Sequence, residues 1–593
     1  MGHSTKYTYD DKYNLIQTID AKGNKSTATV NTQGNPTTIT DAKGNKLTIE
    51  YNSLSKPITI TDALNRTTTF SYDLLDNAIS MTNAKGDTTS IEYDQLNRVV
   101  KTIDAIGNTI EYTYDEVGRI LSLTDPVGNI TSYSYDSYGR LKIETRPDGK
   151  TTSYSYNTDN LISSINRYNG KIVNFTYDKT NRLLSQSVNG DTISIVYDTK
   201  GLITQISNAV STLSYTYDKN SRLISTYQNG IPITYTYDND NNLNSYSFLN
   251  NTINYTRDAL GLATNINNGV NEFGFSYDVN GVQSSSTLPN GITEDLTFNS
   301  VYELTNINSQ TNNSTYSYDK IGLLTEKTLN TVSTSYTNDN IGRITQDGIT
   351  SYAYDKSGNN QNNSAQYDTT TNQLISTNTH NFTYDDYGNI SKKVNLSNNI
   401  KTLYSWNERE QLIKVEKQDD TNTTIKILEF TYDALNRRAS KTINNVTQNY
   451  LYDGEDIIAI LDDNNNPISI ITHDESIDTP LSIQTNNESY FYQRDHQGSI
   501  LNLTDSSKVK VEEYSYLNAY GTTQKISSQT TNNPYGYTGR ELDEDDLYYY
   551  RARYYDPTTQ RFLSQDPIGF NSGDFNFYRY VGNSPGNFTD PSG

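Results

Sequence analysis

Few side chains in this sequence could do chemistry, and most of them are quickly set aside. With no Cys among its 593 residues, the chain has no thiolate nucleophile, no thiolate metal ligand and no disulfide. Its four histidines, His3, His380, His473 and His496, are too scattered to show metal-ligand spacing. Neither a Gly-rich phosphate loop nor a Ser-His-Asp constellation is visible. The acidic run Glu541, Asp543, Glu544, Asp545 and Asp546 lacks the spaced oxygens and central Gly of a calcium loop, and reads as a solvated acidic loop. No metal and no cofactor is therefore expected. What is left near the C-terminus is a pair of Asp-Pro-x-Gly tetrapeptides, Asp566-Pro-Ile-Gly569 and Asp590-Pro-Ser-Gly593. Two Asp carboxylates held close can share a proton, so that one acts as base on water while the other acts as acid. Arg561, five residues before Asp566, could steady a carboxylate or a developing oxyanion, or be an ordinary ion-paired arginine. The bland reading is strong, because Asp, Pro and Gly at the first, second and fourth positions favour a type I turn. Asp125-Pro-Val-Gly128 carries the same pattern inside an ordinary stretch. By itself the motif says turn.

The elements that must hold those carboxylates are repeats. The recurrent unit is aromatic, any residue, Tyr, Asp, as in Tyr112-Thr-Tyr-Asp115 and Tyr235-Thr-Tyr-Asp238, and its period of two predicts a β-strand. The Asp position, sometimes Asn, falls at 10, 31, 52, 73, 94, 115, 136, 157 and 178, then at 198, 218, 238, 258 and 278, then at 299, 319 and 339. A register held so long means one supersecondary unit stacked many times. A second turn signal about ten residues later, such as Asp20-Ala-Lys-Gly-Asn24, makes each unit a β-hairpin. Hairpins joined only to their neighbours form a long antiparallel strip, and twist together with edge pairing must coil it. The expected fold is all-β: a strip of roughly 20-residue hairpins wound into a large hollow shell, with β-solenoid and fibrous arrangements as the alternatives. The regular register covers 1–345 and loosens over 346–534. Trp406, the only Trp, keeps the pattern and reads as a packing aromatic.

Composition supports a polar but ordered β protein. Hydrophobic residues are only 33% of the chain, yet it holds 51 Tyr, whereas disordered segments are poor in aromatics. A net charge of −22 without any Lys/Arg-rich run argues against nucleic acid as a partner. No apolar run reaches the length of a membrane span, and the first residues do not form a signal peptide. Because Tyr7, Tyr9 and Asp10 already belong to a repeat, the chain is expected to begin inside a longer protein, with Met1 to His3 as a cloning remnant.

The Tyr-Asp units resemble the YD repeats of bacterial RHS proteins, Tc toxin C subunits, wall-associated WapA-like proteins and animal teneurins. The run from Tyr535-Gly-Tyr-Thr-Gly-Arg540 through Tyr548-Tyr-Tyr-Arg-Ala-Arg-Tyr-Tyr-Asp-Pro557 and Gln560-Arg-Phe-Leu-Ser-Gln-Asp-Pro-Ile-Gly569 to Asn587-Phe-Thr-Asp-Pro-Ser-Gly593 is similar to the RHS-repeat-associated core domain. Asp495-His-Gln-Gly-Ser499 resembles the segment that precedes it. The resemblance implies a secreted or cell-surface bacterial protein whose strip forms a cocoon, with a core domain at 535–593 curled inward at one end. It further implies a toxin following that core as enclosed cargo, a possible delivery or capping protein at the shell end, and self-cleavage by an aspartic pair. Motif matching puts that pair at Asp566 and Asp590. The rival reading, nearer to teneurins, is an adhesion or carbohydrate-binding strip with a glycan as partner and no cleavage; a passive stalk is the third.

Overall fold

A computed structural model of the chain describes residues 4–527, 531–543 and 547–593. Within them the chain is all-β. Fifty-one strands form one strip that is interrupted once, between Ser351 and Gln366, and a separate four-stranded sheet spans 541–562. Every strand pairs antiparallel with its sequence neighbours, from Lys6–Tyr9 against Leu15–Ile19 to Lys510–Tyr516 against Thr523–Ser527.

The geometry of one hairpin explains the Tyr-Asp signature. In the turn that starts at Asp94, one carboxylate oxygen accepts the backbone N–H groups of Leu96 and Arg98, and the other accepts Nε of Arg98. The N–H and guanidinium of Arg98 hold this carboxyl below its ordinary pKa. The fourth turn position has positive φ, for instance 60° at Asn97 and 88° at Gly118, which is why Asn and Gly recur there. The Tyr before most of these Asp residues sits at a bulge and donates its hydroxyl to a carbonyl in the preceding unit: Tyr114 to Val99 and Tyr135 to Ile120, 15 residues back. Where the repeat step shortens from 21 to 20 residues, this reach shortens to 14, as in Tyr217 to Ile203. The Arg that closes one turn lies over the Tyr of the next, Arg98 at 4.7 Å from the ring centre of Tyr114 and Arg119 at 4.5 Å from that of Tyr135. Each unit is thus stapled to its neighbour by local bonds.

The winding is recorded by contacts that bind turns of the strip far apart in sequence. Lys22 pairs with Asp258 at 2.5 Å, Lys43 with Asp278 at 3.0 Å, Arg66 with Glu303 at 2.7 Å and Arg167 with Glu410 at 2.9 Å. Farther along, Tyr235 donates to Asp453 at 2.8 Å and Lys508 to the carbonyl of Gly291 at 3.0 Å. From Lys22 to Asp258 there are 23 strands. At ~4.8 Å per strand they close a ring about 110 Å around and about 35 Å across, wider than one sheet's ~10 Å thickness can fill. The surface agrees: the chain exposes 27977 Å², against about 21,000 Å² for a compact protein of this mass. The excess is an inner wall. The shell is hollow.

Basic residues beside the Gly-Asn turns of the first winding thus meet the Tyr-Asp turns of the second. The first winding's own Tyr-Asp turns form a rim on which Leu54, Leu75, Leu96, Val117 and Tyr138 recur at one position, all exposed. The C-terminal segment closes the structure from inside the coil. It touches the first winding (Arg146 to Gln565, 3.0 Å), the second (Leu324 N–H to Asn587, 2.6 Å) and the third (His496 to the Gly586 carbonyl, 3.2 Å).

Candidate functional site

Asp566 starts a turn, its carbonyl accepting the Gly569 N–H at 3.1 Å, whereas Asp590 holds its tetrapeptide through the side chain alone. One carboxylate oxygen of Asp566 accepts the Ile568 N–H at 3.0 Å, just as that of Asp125 accepts the Val127 N–H at 3.0 Å. The two turns differ at the second oxygen. In Asp125, Oδ2 accepts the side-chain amide of Asn129 at 3.1 Å; in Asp566, Oδ2 faces Nη2 of Arg553 at 3.4 Å. Asp590 is arranged in the same way, with Oδ1 accepting the Gly593 N–H at 2.8 Å and the Ser592 N–H at 3.2 Å, and with Oδ2 3.5 Å from the same Arg553 nitrogen. The two Oδ2 atoms are therefore no farther apart than the sum of these contacts, about 7 Å. The side chains of Asp566 and Asp590 keep 12% and 21% of their surface exposed, and that of Arg553 only 4%, so the carboxylates are open to solvent while the cation is nearly enclosed.

Arg553 was not singled out in the sequence. It lies in the strand Arg553–Asp556 of the small sheet, one of several arginines among tyrosines. Its Nη1 donates to the Phe577 carbonyl at 2.9 Å, its guanidinium carbon lies 3.6 Å from the ring centre of Phe562, and its Nε is buried without a hydrogen-bond partner. Burial pulls its pKa below the usual value, against the opposing pull of Asp566 and Asp590. A cation between two carboxylates offsets their mutual repulsion. Arg561 points elsewhere. Its guanidinium donates to Asn359 at 2.8 Å, to the Asn372 carbonyl at 2.5 Å and to Asn576 at 3.3 Å, tying the core to the chain within and just after the break in the strip. The cation beside the carboxylates is Arg553.

The acidic run is a second correction. Glu541 and Asp543 are not solvated: both are buried, and both pair with the fully buried guanidinium of Arg438. Lys441 adds a contact to Asp543 at 3.1 Å. Burial alone would drive charge off Arg438, and the two carboxylates outweigh it, raising its pKa well above the usual value. Glu544, Asp545 and Asp546 lie outside the described residues. Among the described residues no group of acidic or His side chains has the geometry of a metal site.

The family model of the teneurin YD-shell matches residues 63–189, 182–334 and 324–586. The chain belongs to that family. Parts of this YD-shell are also similar to curated relatives. One is tRNA nuclease WapA of Bacillus subtilis (strain 168), 32% identical over 230 residues, which is 37% of this chain and 9% of that protein. Another is toxin subunit YenC2 of Yersinia entomophaga, 51% identical over 57 residues, or 10% of this chain and 6% of that one. The matched segments thus cover less than a tenth of the length of either relative. In fold it matches the crystal structure of TcdB2-TccC3-Cdc42 with a TM-score of 0.75 over 100% of this chain and 37% of that chain, at 15% identity.

Proposed function

We propose that this YD-shell is the secreted container of an RHS-type toxin, enclosing a C-terminal toxin domain attached after Gly593 and cutting it free inside the shell. The observation that carries the reading is the convergence of Asp566 and Asp590 on Arg553 at the end of the chain, in a hollow fold whose relatives include named toxin proteins. The chemistry is hydrolysis of one peptide bond. One carboxylate takes a proton from water as hydroxide adds to the carbonyl carbon, Arg553 offsets the charge that develops on the carbonyl oxygen, and the proton passes to the departing amine as the C–N bond breaks. Because the scissile bond is part of the same molecule, it is held beside the carboxylates at high effective concentration, so dilution should not slow the reaction.

The test is a chain carrying its natural continuation beyond Gly593. It should release a C-terminal fragment on a denaturing gel, and Asp566→Asn or Asp590→Asn should leave it whole, since Asn keeps the turn but cannot exchange a carboxyl proton. Release at the wild-type rate from both variants would sink the aspartic assignment, and a wild type that never cuts would leave a container without a blade. A capping or delivery protein would sit on the free apolar rim. Leu75→Asp with Leu96→Asp should then weaken its binding in titration calorimetry, and unchanged affinity would remove the rim from that contact.

A further inference from the structure

The tip of the hairpin that carries Arg553 also holds the chain around Asp590. Three groups at this tip grip residues 590–593: Arg553 faces the Asp590 carboxylate, the Ala552 N–H donates to the Ser592 carbonyl at 3.1 Å, and Nη1 of Arg551 donates to the Pro591 carbonyl. The grip is close. A side chain at Gly593 would collide with the Tyr550 carbonyl, so the segment lies flat against the hairpin. Arg551 adopts a left-handed backbone, φ 57°, which is costly for a non-glycine residue unless its surroundings hold it.

What holds Arg551 comes from the strip. Asp478, in the loop between the strands Pro467–His473 and Pro480–Thr485, accepts Arg551 through both oxygens, at 2.8 and 3.1 Å, and also accepts Arg540 of the core at 2.5 Å. Asp478 is itself fixed, since its N–H donates to Asp456 at 3.1 Å, and its carbonyl lies so close to Gly539 that a Cβ there would clash with it. Glu455 adds a contact to Arg551 at 3.3 Å. A two-oxygen carboxylate–guanidinium contact fixes orientation as well as charge.

The geometry points to Asp478 as a positioning residue that gates the aspartic site: the third winding, through Asp478 and Arg551, sets where Asp590 lies relative to Asp566, so the site is complete only once the strip has wound and the core has docked. This rests on the proposed self-cleavage and supplies its regulation. Cutting then cannot precede closure of the shell, and a toxin is never freed from an unfinished container.

The experiment compares wild type, Asp478→Asn and Asp478→Glu in the chain with its natural continuation, reading the first-order rate of fragment release against pH and the hydrogen exchange of the Ala552 and Gly593 amides. Misplacing a reacting group by about 1 Å costs roughly 100-fold. Asp478→Asn should therefore slow release by roughly 10- to 100-fold with an unchanged pH profile and faster exchange at both amides, and Asp478→Glu should recover most of the rate. If wild type cuts and Asp478→Asn cuts equally fast, the gate is wrong. If wild type does not cut at all, the cleavage reading fails, and the amides still decide the relay: protection lost in Asp478→Asn upholds it, and unchanged protection overturns it.

Discussion

The first winding and the C-terminal core spend the same residue, tyrosine, in opposite ways. From residue 4 to residue 124 no side chain is buried. Tyr51, Tyr72, Tyr93 and Tyr114 there lie half exposed along the strip, each tied by its hydroxyl to a carbonyl of the neighbouring unit. In the core, Tyr548, Tyr549, Tyr550, Tyr554, Tyr555, Tyr578 and Tyr580 are almost wholly enclosed, packed edge to face, with Tyr550 and Tyr555 centred 5.5 Å apart. The strip gains its stability as a sum of neighbour terms, as repeat proteins do. The core gains its stability as a globular interior does, from dense packing. The teaching is that a wall can be one sheet thick as long as every bond is local, whereas a site that must hold two carboxylates against a cation needs a packed interior behind it.

The sharpest way to break that contrast is at the buried ions joining the two regions. Arg438→Ala should destabilise the docked core by about 3–5 kcal/mol, because Glu541 and Asp543 would be left buried without their guanidinium. Limited proteolysis should then cut between the strip and residue 541, and denaturant unfolding should show the core melting before the strip. A single unchanged transition would mean that the core does not rely on this cluster. Exchanging all three residues for apolar ones of similar volume should recover much of the loss, since the cost lies in the orphaned charges.

A second, smaller effect is set by pH at the latch between strip and core. His496 is half-buried, its ring 4.5 Å from that of Tyr316, and Nε2 meets the Gly586 carbonyl. The charges facing it are Asp495 and Lys327, themselves paired at 2.7 Å. Burial chiefly, with Lys327 adding to it and Asp495 opposing, lowers the His496 pKa to about 4. The folded state therefore keeps His496 neutral while the unfolded chain, titrating near 6.5, binds the proton first. Stability is full above ~6.5, falls as the pH drops from there, and is lost through about pH 4, by at most ~3 kcal/mol because the ring keeps some contact with solvent. His496→Gln should flatten the midpoint-against-pH curve in this window. If the wild-type curve is already flat there, the latch does not titrate.

How much of this was legible in the sequence follows from how far each interaction reaches. Asp94 capping its own turn and Tyr114 reaching back to Val99 repeat at fixed short offsets, so the hairpin strip could be read directly. The winding could not be derived from any one unit, because its bonds join residues such as Lys43 and Asp278 and depend on twist accumulated over many strands. The tetrapeptides at Asp566 and Asp590 were visible, but within the four residues nothing separates Asp566 from Asp125; the local difference is one step beyond, where Phe570 stands in place of the amide of Asn129. What takes the place of that amide is Arg553, which meets Asp590 from 37 residues away. Glu541 was misread as solvent-facing for the same reason, since its partner Arg438 lies 103 residues earlier. Distance in sequence, with no periodic signal to bridge it, marks the limit.

The smallest effect tests the wall itself. Tyr72→Phe keeps the ring and removes the hydroxyl that donates at 2.8 Å to the Pro57 carbonyl. One neutral hydrogen bond contributes about 0.5–1.5 kcal/mol, and because this site is half open to water the freed carbonyl can be resolvated, placing the loss near the low end. If stability in the first winding is a sum of neighbour terms, that loss should stay local. Hydrogen exchange should quicken in the strands Pro57–Thr61, Thr67–Tyr72 and Ala78–Thr82 and leave the core amides of 548–556 unchanged. Tyr555→Phe makes the matched control. It removes a hydroxyl that donates at 2.8 Å to the Tyr520 carbonyl in a fully enclosed interior, where water cannot replace it, so the cost should be larger and shared by the whole core. Equal and equally spread effects from the two substitutions would erase the distinction between wall and core, because the same missing hydroxyl would then matter in the same way in both.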